Sequence, residues 1–85
     1  MNIIRYLPET PTEGYVVFAE TSTGRKDRCI FKEGKFIAGG DFPVPPYELK
    51  SVVRWFDLRK YNRYFASKNV LSYRVDFSEA ENIPE

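Results

Sequence analysis

The segment from Arg54 to Arg74 holds the side chains best suited to binding chemistry. Cationic groups are interleaved there with aromatic rings: Arg54, Arg59, Lys60, Arg63, Lys68 and Arg74 with Trp55, Phe56, Tyr61, Tyr64, Phe65 and Tyr73. Lysine and arginine neutralise phosphates or carboxylates, and aromatic faces stack on unpaired bases. Asp57 is the only acid in this segment. The pattern has two interpretations. In one, most of these aromatic rings belong to the core and the cations only keep the outer face of a helix soluble. In the other, the segment forms a surface for a negatively charged partner.

Catalytic chemistry has few candidate residues in this chain. Histidine is absent and Cys29 is the only cysteine, which excludes histidine-dependent triads, His/Cys zinc sites and an internal disulfide. No acid lies in an apolar stretch of the kind that tunes a carboxyl for acid–base catalysis. The glycines match no phosphate-binding motif. We expect no enzymatic activity, no metal and no cofactor, and we expect Cys29 to be a small buried hydrophobe.

Charge is distributed unevenly along the chain, although the net charge is only +1. Twelve of the 13 Lys and Arg residues lie between positions 24 and 74, together with five of the 12 acids, whereas residues 75–85 carry only acids. The chain lacks the run of about 18 apolar residues that a membrane span requires. It also begins without the features of a signal peptide. These patterns predict a soluble, cytoplasmic protein with no membrane partner.

Runs of β-branched and aromatic residues bounded by turn residues predict most of the structure. The predicted strands cover about 2–6, 14–21, 25–32, 35–37, 51–58 and 70–77, and those from 14 to 37 form a meander. Glu33-Gly34 has the spacing of a tight hairpin turn, in which glycine supplies a positive φ. The three prolines between Pro43 and Pro46 predict a stiff, extended connection.

The stretch from Tyr47 to Leu58 is compatible with two structures. Four apolar residues have helical spacing after Pro46, whereas SVVRWFDL at 51–58 is typical of a strand, and we prefer the strand. Asp57 can then cap a short helix. The predicted fold class is α+β: a small, mainly antiparallel sheet of about five to six strands with one short helix near 58–68. The chain is expected to form a single domain, 1–85, with a flexible acidic tail at 78–85.

The predicted core consists of the apolar residues on these strands and on the helix. Its members are Val17, Phe18, Ile30, Phe31, Phe36, Val53, Trp55, Phe65, Leu71, Tyr73, Val75 and Phe77.

Four short motifs follow one another between residues 5 and 58. They are Leu7-Pro8, Glu13-Gly14 before Val16-Val17, Gly34 before Phe36, and Val52-Val53 before Trp55 and Leu58. This order resembles a family of short, uncharacterised phage and prophage proteins with a Leu-Pro turn, a β-hairpin and a closing V-x-x-W-x-x-L strand. The chain differs in having Tyr6 where a tryptophan usually precedes the Leu-Pro turn, and in continuing past Leu58. The resemblance implies a compact antiparallel β-domain from a mobile element, without a known activity.

Two functions from different classes remain open. In the first, the chain is a non-catalytic protein-binding module, such as a phage or mobile-element accessory or inhibitor protein, whose basic surface binds an acidic surface of a host protein. In the second, it is a small nucleic-acid-binding protein that uses the segment 54–74. The sequence pI of about 7.8 favours the first, because dedicated nucleic-acid modules are usually more basic. The predicted contact residues are Arg54, Arg59, Lys60, Arg63, Tyr64 and Lys68, on a monomer or weak dimer.

Overall fold

A computed structural model of the chain describes residues 3–59 and 76–81. These residues form six strands and one short helix. In chain order they are β1 (Arg5–Tyr6), β2 (Val16–Thr21), β3 (Lys26–Lys32), β4 (Lys35–Ala38), β5 (Tyr47–Glu48), β6 (Val52–Asp57) and α1 (Phe77–Glu81). Within these ranges, no helix has the length and apolar character needed to cross a membrane.

The strands β2, β3 and β4 form the predicted meander, which is confirmed. The polar residues 22–25 join β2 to β3, and the hairpin between β3 and β4 turns at Glu33 and Gly34, with φ angles of 53° and 76°. Both φ values are positive, as the two central residues of a type I′ turn require. The Glu33 backbone N–H also donates to Glu13 Oε1 at 2.9 Å, which fixes the preceding loop against this turn.

All six strands belong to one antiparallel sheet in the order β1-β6-β2-β3-β4-β5. The predicted strand at 51–58 is confirmed as β6, and it lies between β1 and β2, far from its neighbours in sequence. Arg5 pairs with Trp55, and Val17 pairs with Asp57. One edge of the sheet is therefore formed by β1 and β6, two strands from opposite parts of the chain.

Both faces of the sheet bury apolar side chains. The first core contains Val17, Ala19, Cys29, Phe31, Phe36, Ala38, Leu49 and Trp55. The second core, on the opposite face, contains Ile3, Ile4, Phe56, Leu58, Phe77 and Ala80. Successive residues of a strand point to opposite faces. The adjacent residues Trp55 and Phe56 are therefore buried at 7% and 0% exposure in different cores.

A β-bulge interrupts the alternation of β6. Glu20 pairs with Arg54, but the next residue, Thr21, pairs with Val52 rather than Val53. A bulge inserts one extra residue and reverses which face the following side chains occupy. Val52 consequently packs against the first core, whereas Val53 is 41% exposed.

The helix α1 lies over the second core. Asp76 lies at the N-cap position, since its backbone carbonyl accepts from the Ala80 N–H at 3.2 Å; its Oδ1 also accepts from the Phe77 N–H at 2.6 Å. The ring of Phe77 is 5.1 Å from that of Phe56 and 5.5 Å from that of Phe18. Two ion pairs flank these contacts: Lys26 Nζ to Asp76 Oδ2 at 3.2 Å, and Arg54 to Glu81 at 3.6 Å.

The predicted α+β class is wrong. The described residues form a six-stranded antiparallel sheet with a single five-residue helix, so the protein is essentially all-β. The helix near 58–68 was expected to start at an Asp57 cap, but Asp57 is the last residue of β6 and Leu58 packs into the second core. Beyond Arg59, that predicted helix lies outside the described residues.

The other local predictions have mixed outcomes. Phe77 was expected to end a strand at 70–77 but begins α1, and residues 70–75 of that strand are not described. Of the predicted core, Val17, Phe31, Phe36, Trp55 and Phe77 are buried and Phe18 is partly buried, whereas Ile30 and Val53 are exposed. Phe65, Leu71, Tyr73 and Val75 lie outside the described residues.

Candidate functional site

Arg54, the first predicted contact residue, lies within an internal ion-pair network. Its Nε donates to Glu20 Oε1 at 2.5 Å, and its guanidinium lies 4.1 Å from the centre of the Phe77 ring. Only 23% of the side chain is exposed. Burial acts to lower the pKa of Arg54, but the hydrogen bonds and charges of Glu20 and Tyr6 together outweigh it, so the pKa is raised. These contacts bind α1 to β6, and a binding role for Arg54 stays a prediction.

Of the remaining predicted contact residues, the structure describes only Arg59. Arg59 is exposed in the turn after β6, whereas Lys60, Arg63, Tyr64 and Lys68 lie outside the described residues. The basic face that these residues were predicted to form therefore stays a prediction.

Two aromatic residues of the segment 54–74 cannot stack on bases. Trp55 is buried in the first core, and its indole Nε1 donates to the Glu9 carbonyl at 2.8 Å. Phe56 is fully buried in the second core. Base stacking requires an accessible ring face, so these two rings support the fold rather than a nucleic-acid contact.

The loop 39–46 presents the most exposed aromatic ring of the described residues. Phe42 is 100% exposed at the tip of this loop. Two backbone hydrogen bonds hold the tip in a compact turn: Val44 N–H to the Asp41 carbonyl at 2.7 Å, and Gly40 N–H to the Val44 carbonyl at 2.9 Å. The exposed ring is therefore carried on an ordered turn.

Glycine is required where this loop leaves β4. Gly39 has φ +74°, and a Cβ at this position would lie 2.5 Å from the Pro45 carbonyl oxygen. Contacts that short are prohibited for a real side chain, and a positive φ is itself costly for residues with a Cβ. Gly39 therefore permits the close approach of residues 39 and 45 that shapes the loop.

A groove of about 940 Å³ lies between this loop and the face of β2, β3 and β4. Its apolar part contains Val16, Ile30 and Ile37 from the strands, and Val44 and Phe42 from the loop. Ile30 is 46% exposed because Cys29 and Phe31, its neighbours in β3, face the first core. The groove lies on the same face of the sheet as the second core, because Val16 and Phe18 line the groove and also pack against that core.

The polar part of the groove contains charges of both signs. Arg25, Lys26 and Arg28 line it together with Asp27 and Asp41. Lys26 also contacts Asp76 at the start of α1. The groove therefore carries charges of both signs, whereas the surface predicted from the sequence is basic.

A hydrogen-bonded cluster lies where the groove meets β5. The Tyr47 hydroxyl donates to Asp27 Oδ2 and accepts from Arg25 Nη2 at 2.9 Å. The Arg25 guanidinium also lies 5.0 Å from the centre of the Tyr47 ring, a cation–π distance. The bond to Asp27 raises the pKa of Tyr47, because it stabilises the protonated phenol. This cluster fixes β5 against the start of β3.

Cys29 borders the groove but is 2% exposed. Its Sγ donates to the Asp27 carbonyl at 3.6 Å. Burial, with a smaller contribution from the charge of Asp27, raises the pKa of Cys29 to about 12. A nucleophilic cysteine acts as the thiolate, so this environment suits a packed thiol, as the sequence predicted.

A second, smaller depression of about 210 Å³ lies beside β1 and β6. Arg5, Glu9 and Asp57 contribute charged groups to it, and the loop between β1 and β2 forms its rim. Among the described residues, no group of three or more His, Cys, Asp or Glu side chains is arranged to hold a metal ion.

Sequence reasoning missed the groove and its exposed ring. In the sequence, the stretch GGDFPVPP indicates only a stiff connection. A usable signal was present, since Phe42 stands in a Gly/Pro-rich turn with no alternating apolar neighbours to place it in a core. The position of Ile30 required the pairing register. No protein-family model, curated protein or solved structure matches this chain, so the resemblance to short phage proteins stays a prediction.

Proposed function

We propose that this chain is a non-catalytic protein-binding module whose contact surface is the groove together with the loop 39–46. The observation that carries this proposal is the full exposure of Phe42 on a hydrogen-bonded turn. Transfer of a phenylalanine side chain from water to an apolar contact is worth about 1.5–3 kcal/mol. An ordered loop loses little conformational entropy on binding, which favours its use as an anchor.

The residues around Phe42 support the same function. Val44, next to it on the loop, is 49% exposed, and Ile30 on the sheet is 46% exposed. Protein interfaces typically combine an apolar centre with a polar rim. The mixed charges of Arg25, Lys26, Asp27 and Asp41 provide such a rim.

This proposal differs in its partner chemistry from the acidic host surface expected from the sequence. A groove with both signs of charge favours a partner that also offers both signs around an apolar centre. The non-catalytic part of the proposal is supported by Cys29, whose raised pKa keeps its thiol protonated. The burial of Trp55 and Phe56 removes support from the nucleic-acid alternative.

The test compares two variants that each place a charge at an exposed aromatic position. Phe42→Asp lies in the proposed surface, whereas Tyr15→Asp lies outside the groove at a site that is 49% exposed. We expect wild type and Tyr15→Asp to retain a partner that is purified from the native host and measured by calorimetry, and Phe42→Asp to lose it. Equal binding by all three proteins would contradict the proposal. So would tight binding of a single-stranded oligonucleotide that depends on Arg59.

A further inference from the structure

We propose that the partner for this surface is a second copy of the chain, with Phe42 of each copy inserted into the groove of the other. This inference rests on the proposed function, since it uses the same loop and groove. It goes further by naming the occupant and the symmetry of the contact.

The shapes of the loop and groove provide the first argument. Phe42 projects from the surface, and an open apolar depression containing Ile30 and Ile37 lies directly beside it. A contact with two-fold symmetry needs a surface that complements itself, so that each copy offers both members of every pair. A projecting ring next to an apolar depression meets this requirement, because each ring can enter the facing depression.

The charges provide the second argument. Arg25, Lys26 and Arg28 lie beside Asp27 and Asp41, and Asp76 adjoins Lys26. Among the described residues around this end of the groove, cations and carboxylates are therefore balanced in number. A strongly acidic partner would meet these carboxylates, and a strongly basic partner would meet the cations. A second copy carries the same balanced set, so its rotation by 180° can place opposite charges against each other.

The extent of the surface indicates a weak dimer. Stable interfaces bury about 800 Å² on each partner, and here the exposed apolar part is confined to one loop tip and a few strand residues. We therefore expect association that depends on concentration, with Phe42 as the residue that contributes most.

Sedimentation velocity of the full chain from micromolar to millimolar concentration tests this inference. The wild-type mass should rise from monomer toward dimer and then remain constant. Phe42→Asp should weaken the dimer by about thirtyfold or more, as loss of an interface anchor does. Ile30→Glu, which changes the facing depression, should weaken it similarly. Tyr15→Asp is the matched control and should associate like wild type, and circular dichroism should show that all variants retain the fold.

Four other outcomes would contradict the two-fold dimer. A monomer at every concentration would overturn the dimer, yet the proposed function would stand if a different partner still required Phe42. Growth beyond the dimer would mean that ring and groove join head to tail, which contradicts the two-fold contact. A dimer that survives Phe42→Asp would use another surface. Loss of monomer stability in Ile30→Glu, with no effect of Phe42→Asp on association, would show that Ile30 packs within the monomer and would contradict the proposed contact.

Discussion

Among the described residues, Cys29 is the one in which burial most changes a titration. Burial raises the pKa of its thiol from 9.0 to about 12, with the charge of Asp27 as the smaller cause. In the unfolded chain the thiol ionises near its ordinary pKa, whereas in the folded chain it keeps its proton. The unfolded state therefore binds fewer protons between about pH 9 and pH 12, and stability must fall as the pH rises through this window.

We expect Cys29→Ala to remove this part of the pH dependence. Above pH 9, the free energy of unfolding should fall more steeply with pH in wild type than in the variant. The difference in slope should be up to about 1.4 kcal/mol per pH unit. Urea titrations at a series of pH values measure both slopes. The native thiol should also react slowly with a disulfide reagent at pH 8 and rapidly in denaturant. Parallel pH profiles for the two proteins would contradict the burial of this thiol.

The behaviour of a single residue was predictable from sequence where it depended only on composition and on the residue's immediate neighbours. The inert behaviour of Cys29 follows from its apolar neighbours and from the absence of histidine. The exposure of Ile30 was not predictable in this way, because a run such as Cys29-Ile30-Phe31 does not reveal which of its members face the more deeply buried side. That choice depends on the strands that cover each face.

At the scale of elements, replacing Gly39 by a residue with a side chain should distort the loop 39–46 through a steric clash. Gly39→Ala and Gly24→Ala both place a side chain at a positive φ, but only at Gly39 does the new Cβ meet another atom within 4 Å. The unfavourable φ should cost each variant about 1–2 kcal/mol, and Gly39→Ala should lose more. Chemical denaturation gives both costs, and hydrogen exchange at Val44 reports the loop. Equal costs and unchanged exchange at Val44 would show that the loop can shift freely.

The element boundaries show where sequence patterns lose information. The strands of the meander were found because each lies between clear turn residues, and the Glu33-Gly34 turn was found because tight hairpins need positive φ. The bulge at Val53 left no such signal, since Val52 and Val53 are chemically identical. The helix α1 was missed because Phe77 completes an alternating apolar pattern, whereas its helical state depends on an Asp76 cap and on packing against Phe56.

At the scale of the molecule, this sheet buries apolar side chains on both faces, unlike a sheet that has one face exposed to solvent. Trp55→Ala and Phe56→Ala alter adjacent residues of β6 that belong to different cores. Each variant should lose about 3–5 kcal/mol, the cost of truncating a buried aromatic residue. Val53→Ala, at the exposed bulge of the same strand, is the control and should change stability by less than about 1 kcal/mol. A nearly neutral effect of either aromatic variant would mean that its face is open to water.

The candidate surface was the part of the molecule least accessible from sequence. Its apolar floor comes from β2, β3 and β4, and its wall from the loop 39–46. Its charges come from Arg25, from the start of β3, from Asp41 in the loop and from Asp76 just before α1. The pattern of basic and aromatic residues drew attention to the segment 54–74, two of whose rings serve the cores. A surface assembled from separate segments becomes visible only when the strand order is known.

The position of β6 between β1 and β2 also sets an order of events during synthesis. A ribosome releases β1 and the meander before it has made the strand that joins them. Arg5 and Tyr6 can gain their sheet partners, Trp55 and Arg54, only after those residues have left the exit tunnel. Until then β2 has an open edge, and open edges are prone to pairing with other chains. The nascent protein is therefore most vulnerable to aggregation in the interval between completion of β4 and arrival of β6.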